Sequence, residues 1–256
     1  MPRKTGVKNT KRFEKSVRTI VQDEIKEELE NKVSSVGYSN ISLNSAIPFG
    51  NVSASPNYFK LLPAISQGDG KYNQRVGNTL RLYDLDINGF LQYNPPLSSD
   101  ILPTDKKLAV RVMILRSKDI NAVDKAFIDM PSTLIRSGQP IPYNGNPLDS
   151  FRDINRDTFS VRYDNVFYMN APYISPGIPA NTNDVVGNQS SLKMFRHKLR
   201  FGKNGLKLHY ENAADTEPQN FPYYVVIGVS SMSFNGVPSN GVIKTTFQVT
   251  GSYTDA

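Results

Sequence analysis

The sequence predicts an all-β chain, an antiparallel sandwich of jelly-roll or immunoglobulin type, fronted by a helical basic arm. Three observations predict it. From residue 37 onward, short runs alternate apolar and polar residues, the pattern of strands with one buried face. Pro, Gly, Asn and Ser punctuate those runs, with long connections and little helical spacing between them, which favours antiparallel over parallel sheets. Before residue 37 the spacing turns helical and the charge strongly basic. The expected organisation is therefore an arm over residues 1–36 and one β-domain over 37–256, long enough to bury a substantial core.

The arm comes first. Residues 1–18 hold Arg3, Lys4, Lys8, Lys11, Arg12, Lys15 and Arg18 against Glu14 alone, a net +6. Residues 19–36 are net −3, and the rest of the chain supplies +4 of the total +7. Such an arm neutralises phosphates without reading bases; a solubilising tail or a nuclear localisation signal is the plainer reading. No apolar stretch follows the basic residues, so no secretory signal is expected, and the acids from Asp23 to Glu30 do not suit a mitochondrial presequence. Phe13, Val17, Ile20, Val21, Ile25, Leu29 and Val33 recur at spacings of three and four, predicting a helix that stops near Val36-Gly37. Its apolar stripe must either dock on the body or pair with the same helix of other copies.

The strands follow. Residues 78–93 form one long strand whose apolar parity changes near Tyr83-Asp84, the mark of a bulge, and Asn94-Pro95-Pro96 ends it. Leu108, Val110, Val112 and Ile114 predict a strand with one core face. Phe159, Val161 and Tyr163 give another, and residues 166–169 a further piece. Residues 193–201 alternate, Gly202-Lys203-Asn204-Gly205 turns, and Leu206, Leu208 and Tyr210 continue. Residues 223–229 are nearly all apolar, a strand buried on both faces, and residues 245–253 alternate to the end. That makes seven or eight strands. The irregular stretches 117–157 and 170–191 are long enough to suggest contact surfaces, with a short helix over Ala122–Ile128 in the first.

Catalytic chemistry finds little support. Cysteine is absent, which removes disulfides, thiolate metal sites and cysteine nucleophiles, and only His197 and His209 are present. Gly68-Asp69-Gly70-Lys71 lacks the earlier glycine of a phosphate loop and has Tyr72 where Ser or Thr would hold magnesium. Asp84 and Asp86 share a strand face, where acids alternating with apolar residues read as a solvated edge rather than an acid–base pair. No enzyme and no cofactor are expected. Three cations do stand out: Arg196, Lys198 and Arg200 share one strand parity, and Phe195, Leu199 and Phe201 the other. Such like charges repel unless solvent or an anion screens them, so this face is either a solvated exterior or a phosphate contact.

The run Ile65-Ser66-Gln67-Gly68-Asp69-Gly70-Lys71-Tyr72-Asn73-Gln74-Arg75-Val76-Gly77-Asn78-Thr79-Leu80-Arg81-Leu82 resembles the entry to the first core strand in capsid proteins of small circular single-stranded DNA viruses. Val110-Arg111-Val112-Met113-Ile114, Phe159-Ser160-Val161-Arg162-Tyr163-Asp164 and the ending Gly251-Ser252-Tyr253-Thr254-Asp255-Ala256 are similar to later strands of such proteins, in order. Plant satellite-virus capsid proteins share the general plan. The resemblance implies a single eight-stranded antiparallel jelly roll that self-assembles into an icosahedral shell of about sixty copies. It places the basic arm inward on a packaged single-stranded genome, with DNA favoured. It also implies an arm-helix seam of Val17, Ile20, Val21, Ile25 and Leu29. The arm here is short, lysine-mixed and acidic in its second half, which leaves room for Arg196, Lys198 and Arg200 on the inner wall. The expected location is the virion, with the host nucleus or cytoplasm during assembly, and no membrane insertion. Calcium between subunits is conceivable through Asp84, Asp86, Asp164 or Asp184, although no metal site is predicted. A carbohydrate-binding sandwich is the alternative, with Tyr143, Phe167, Tyr168 and Tyr173 stacking on sugars.

Overall fold

A computed structural model describes residues 13–18, 20, 31–47, 56–68, 70–94, 107–118, 133–171, 191–232 and 236–255. The described strands are β1 (Lys32–Ser42), β2 (Tyr58–Lys60), β3 (Thr79–Tyr93), β4 (Lys107–Ser117), β5 (Ile135–Ser137), β6 (Gln139–Ile141), β7 (Phe159–Asn170), β8 (Leu192–Arg200), β9 (Leu206–His209), β10 (Tyr223–Ser231) and β11 (Ile243–Asp255). One sheet runs β1-β11-β3-β8, with β9 also on β3; the other runs β2-β10-β4-β7. Every named pairing is antiparallel. Setting aside the small β5–β6 ribbon and treating β8 and β9 as one interrupted strand leaves eight. Successive members of that series cross between two four-stranded sheets, except that β4 and β7 pair as neighbours in one sheet, which is the jelly-roll plan. The immunoglobulin option falls away on strand order.

The main core lies between the sheets. Leu80, Leu82, Leu85, Ile87 and Leu91 of β3 enter it from one side, and Val110, Val112, Ile114, Val225 and Ile227 from the other. An aromatic cluster ties the layers together: Phe59 of β2 meets Tyr38 of β1 and Phe247 of β11 at centroid distances of 5.0 and 4.9 Å. The parity change in β3 is the bulge foreseen from sequence. Asp84 pairs Ser252 and Leu82 pairs Tyr253, so Tyr83 is the extra residue.

Opposite Tyr83, the expected turn at residues 202–205 has a different role. β8 pairs residues 84–92 of β3 and β9 pairs residues 79–82, both antiparallel, so the chain resumes its direction after the excursion. Gly202 and Gly205 make it at φ +81° and +65°, which favours glycine.

Four sequence expectations are corrected. The helical spacing through Val33 fails at its end, because Lys32 and Val33 already belong to β1 and Val36-Gly37 lies inside that strand. Pairing with β11 overrides the periodicity there. β4 has two buried faces rather than one: Met113 and Leu115 join Tyr143, Tyr224, Val226, Leu134, Ile154 and Phe159 in a second cluster outside the sheet. The chain over 133–158 is therefore largely a cover for that sheet, with β5, β6 and a 3-10 turn Pro147–Ser150. Finally, Phe159 and Tyr163 do not share a face. β7 is one strand with a register shift at Arg162, so Phe159 and Val161 join the outer cluster while Tyr163 and Met169 pack with the main core. Ala122–Ile128 lies outside the described residues.

Candidate nucleic-acid interface

The arm meets the sandwich at a pinned corner. Lys32 is buried, and its Nζ donates to Asp255 Oδ2 at 2.6 Å and to the Gln74 carbonyl at 3.0 Å. Asp255 Oδ1 accepts the Val76 N–H at 3.1 Å, and the Tyr72 hydroxyl donates to the Asn31 carbonyl at 2.7 Å. The segment around Gln67-Gly68 and Gln74-Arg75-Val76-Gly77 thus has a mechanical meaning. The Gly68 N–H donates to the Arg75 carbonyl and the Arg75 N–H to the Ser66 carbonyl, Gln67 Nε2 donates to the Val76 carbonyl, and the closed loop carries the corner. Arg75 is fully buried, donating to the carbonyls of Gly77, Asn212 and Asp215 and lying 4.1 Å from the Tyr210 ring centroid. It anchors the 212–215 loop and is closed to any ligand.

Of the arm itself, residues 13–18 and Ile20 are helical, and Phe13, Val17 and Ile20 are exposed. Lys15 and Arg18 sit on this helix, also exposed. Arg3, Lys4, Lys8, Lys11 and Arg12, and the seam residues Val21, Ile25 and Leu29, lie outside the described residues.

The cation stripe on β8 forms as its alternation predicts. Phe195 and Leu199 are buried in the main core, while Arg196, Lys198 and Arg200 are exposed on the outer face. Its electrostatics differ from the expectation, because the acids of β3 lie on the same face. The register sets Asp86 opposite Lys198 and Asp84 opposite Arg200. The ion pairs form on the diagonal: Arg196 Nη2 to Asp86 Oδ2 at 2.9 Å, and Lys198 Nζ to Asp84 Oδ2 at 3.1 Å. The Arg196 hydrogen bond holds the Asp86 carboxyl below the usual range, against the opposing effect of burial. Among the described residues, no carboxylate pairs with Arg200. Three cations against two carboxylates leave the stripe with an excess of one positive charge. Arg196 keeps 73% of its side chain exposed, and pairs this open are weak enough to exchange a carboxylate for a phosphate.

His197, on the inner parity of β8, packs against Tyr163 at a ring-centroid distance of 4.7 Å. Burial holds its pKa below the ordinary value, which favours the neutral ring. Arg111 is buried too, clamped bidentate on Asp164 at 2.7 Å for both contacts and donating to the Asp149 and Arg152 carbonyls. Asp149 in turn accepts from Arg152 and from the Asn144 and Asn146 N–H groups. This network secures the cover over the second sheet.

The calcium candidates are engaged elsewhere. Asp84, Asp86 and Asp164 each hold a cation, Asp184 lies outside the described residues, and no group of three metal-capable side chains occurs among those described. The proposed sugar platform does not assemble. Tyr143 is fully buried, its hydroxyl 2.6 Å from Ser230 Oγ and its pKa pushed up to about 12 by desolvation. Phe167 is half-buried, near Phe195, and Tyr173 lies outside the described residues; Tyr168 is exposed.

Sequence reasoning missed Arg162. It is the unpaired residue of the β7 bulge, with its Nη2 3.4 Å from the Tyr223 hydroxyl. The bulge leaves no trace in the apolar alternation, because Phe159 and Val161 pack on one face, Tyr163, Phe167 and Met169 on the other, and all five are odd-numbered.

No protein-family model matches this chain, and no curated protein matches it. Among solved structures it is similar to a chain of a structure described as "KBV activated particle at acidic pH". The identity is 9%, the TM-score 0.30, and the match covers 88% of this chain and 69% of the other. A TM-score of 0.30 is too low to bear on fold or function, so the fold assignment rests on the strand order itself.

Proposed function

We propose that this chain is a viral coat protein that self-assembles into a small icosahedral shell of about sixty copies around a single-stranded genome, DNA favoured, with the basic arm facing inward. One observation carries the reading: a jelly roll whose N-terminal segment, net +6 over residues 1–18, meets the sandwich at the corner pinned by Lys32 and Asp255. A rigid pin lets the sandwich hold fixed contacts while the charged arm follows an irregular polyanion. The exposed Phe13, Val17 and Ile20 support a further role for the arm helix as a seam between copies. Arg196, Lys198 and Arg200 would add to the inner wall, and loop contacts would close the cage. The virion would then be the site of action, with assembly in the host nucleus or cytoplasm. No step in this account needs a cofactor or a catalytic residue.

The test is the mass of the purified full chain by light scattering, with absorbance at 260 and 280 nm on the same peak. Particles of about sixty chains with excess 260 nm absorbance are expected. Deleting residues 1–18 is expected to leave particles but remove most of that excess. A monomer that persists across salt and pH overturns the reading.

A further inference from the structure

β7 and β8 are edge strands of opposite sheets, and they come together at one side of the sandwich. Between them lies an open cleft of about 410 Å³, lined by Arg162, Lys198, Leu199, Arg200, Phe201 and Tyr223. A second hollow, of about 380 Å³, shares Arg162 and adds Lys118 and Arg156. Two strand irregularities converge here. The bulge of β7 leaves Arg162 without a cross-strand partner. The excursion after β8 begins at Phe201, whose N–H donates to the Tyr83 carbonyl at 2.9 Å. Bulges re-aim side chains, and both of these fall beside a cation.

The charge is uncompensated in the same place. Lys198 has Asp84, but among the described residues no carboxylate pairs with Arg162 or Arg200. Among the described residues, the Arg162 side chain holds a long bond to the Tyr223 hydroxyl, at 3.4 Å, and lies 5.8 Å from that ring's centroid. Two guanidinium groups with unused donors, on a floor of Leu199 and half-buried Phe201, match an anion that alternates charged and flat apolar groups. A single nucleic-acid strand alternates in that way.

We infer that the β7–β8 cleft binds the backbone of a single-stranded nucleic acid. Arg162 and Arg200 take successive phosphates, Lys198 adds charge at the rim, and a sugar or base packs on Phe201. The inference rests on the coat-protein reading only for the source of the strand. It assigns Arg162 a role and makes the cleft a second contact, separate from the arm.

The experiment uses the full chain and a fluorescent twelve-residue oligo-dT, followed by anisotropy over a salt series. The variant R162A/R200A is compared with K60A/R136A, which removes the same charge from other parts of the surface. R162A/R200A is expected to weaken binding about tenfold at low salt and to flatten the salt slope by about 1.4, at about 0.7 per phosphate for single strands. K60A/R136A is expected to change affinity less than about twofold, and R162K/R200K to recover most of the slope. Equal losses in both alanine variants overturn the cleft, since net charge would then explain them. Unchanged dT binding with loss of heparin-oligosaccharide binding in R162A/R200A also overturns it, in favour of a sulfated glycan. A check free of folding effects is photocrosslinking of bromouracil-substituted dT to the wild-type chain: adducts on residues 199–201 are expected, and adducts confined to residues 1–18 refute the cleft. Light scattering on the same samples separates the two claims. Shells without cleft binding leave the coat reading standing, and cleft binding by a permanent monomer leaves only the cleft.

Discussion

The two sheets share one strand plan and treat their outer faces in opposite ways. The β2-β10-β4-β7 sheet is covered: Tyr143, Leu134 and Ile154 pack on it, and Arg111 is sealed against Asp164 and the Asp149 carbonyl. The β1-β11-β3-β8 sheet is open: its outer face carries Asp84, Asp86, Asn88, Gln92 and the β8 cations, half-buried or exposed. Charges therefore mean different things on the two sides. Under the cover an arginine is a structural fastener whose loss strands the loop carbonyls it holds. On the open face a cation is loosely paired and free to exchange partners.

That contrast can be broken, beginning with the fastener. Arg111→Ala leaves Asp164 without its bidentate partner and empties the donors to the Asp149 and Arg152 carbonyls. It is expected to cost about 1–3 kcal/mol in urea unfolding, chiefly through the two carbonyls left without a donor, since Asp164 itself stays open to water. A loss below about 1 kcal/mol would mean that the cover is not tied down by this network.

Next comes the packing of the cover. Gly228 of β10 faces the Tyr143 ring so closely that an added Cβ would lie 2.5 Å from Cζ. Tyr143 is held by Ser230 and cannot swing aside freely. Gly228→Ala is expected to destabilise by about 1–3 kcal/mol, read as a lower unfolding midpoint, with the open sheet's polyanion binding intact in the folded protein.

The smallest effect belongs to the open face. Asp86→Asn removes the Arg196 pair, of which the arginine is mostly exposed, and is expected to cost less than about 1 kcal/mol at neutral pH. Because the folded Asp86 carboxyl titrates below its unfolded value of 3.8, the pair's stabilisation is present above that pH. It is lost as pH falls through the folded pKa, so the gap between variant and wild type should close in acid. The same substitution frees Arg196 and should strengthen oligo-dT binding. Weaker binding would place the strand contact elsewhere.

Much of this was legible in the sequence. The β3 bulge showed because apolar parity changed at Tyr83, and the β8 stripe showed because cations and aromatics alternate without interruption. β10 read as buried on both faces because the run is apolar throughout. The first strand was hidden, since Val33 continues the arm's helical spacing while pairing with β11 decides its conformation. The cover was hidden because its buried residues, Leu134, Tyr143 and Ile154, are scattered through turns with no period. In the candidate site, the β8 cations were legible in the sequence, but Arg162 and the carboxylate partners were not.

What the sequence determined by itself was local: which residues alternate, where charge accumulates, where a strand must bulge, and that the fold is an antiparallel sandwich. These follow from side-chain order at spacings of two to four residues, which the backbone converts directly into faces. Tertiary structure alone decided which sheet is covered, that Asp84 and Asp86 temper the β8 cations, and that Arg162 meets Arg200 at one cleft. Arg196 and Asp86 are 110 positions apart in the chain, and only the β3–β8 register brings them to 2.9 Å. Pairing at that separation depends on the summed packing of the whole sandwich, and no local window of residues contains it.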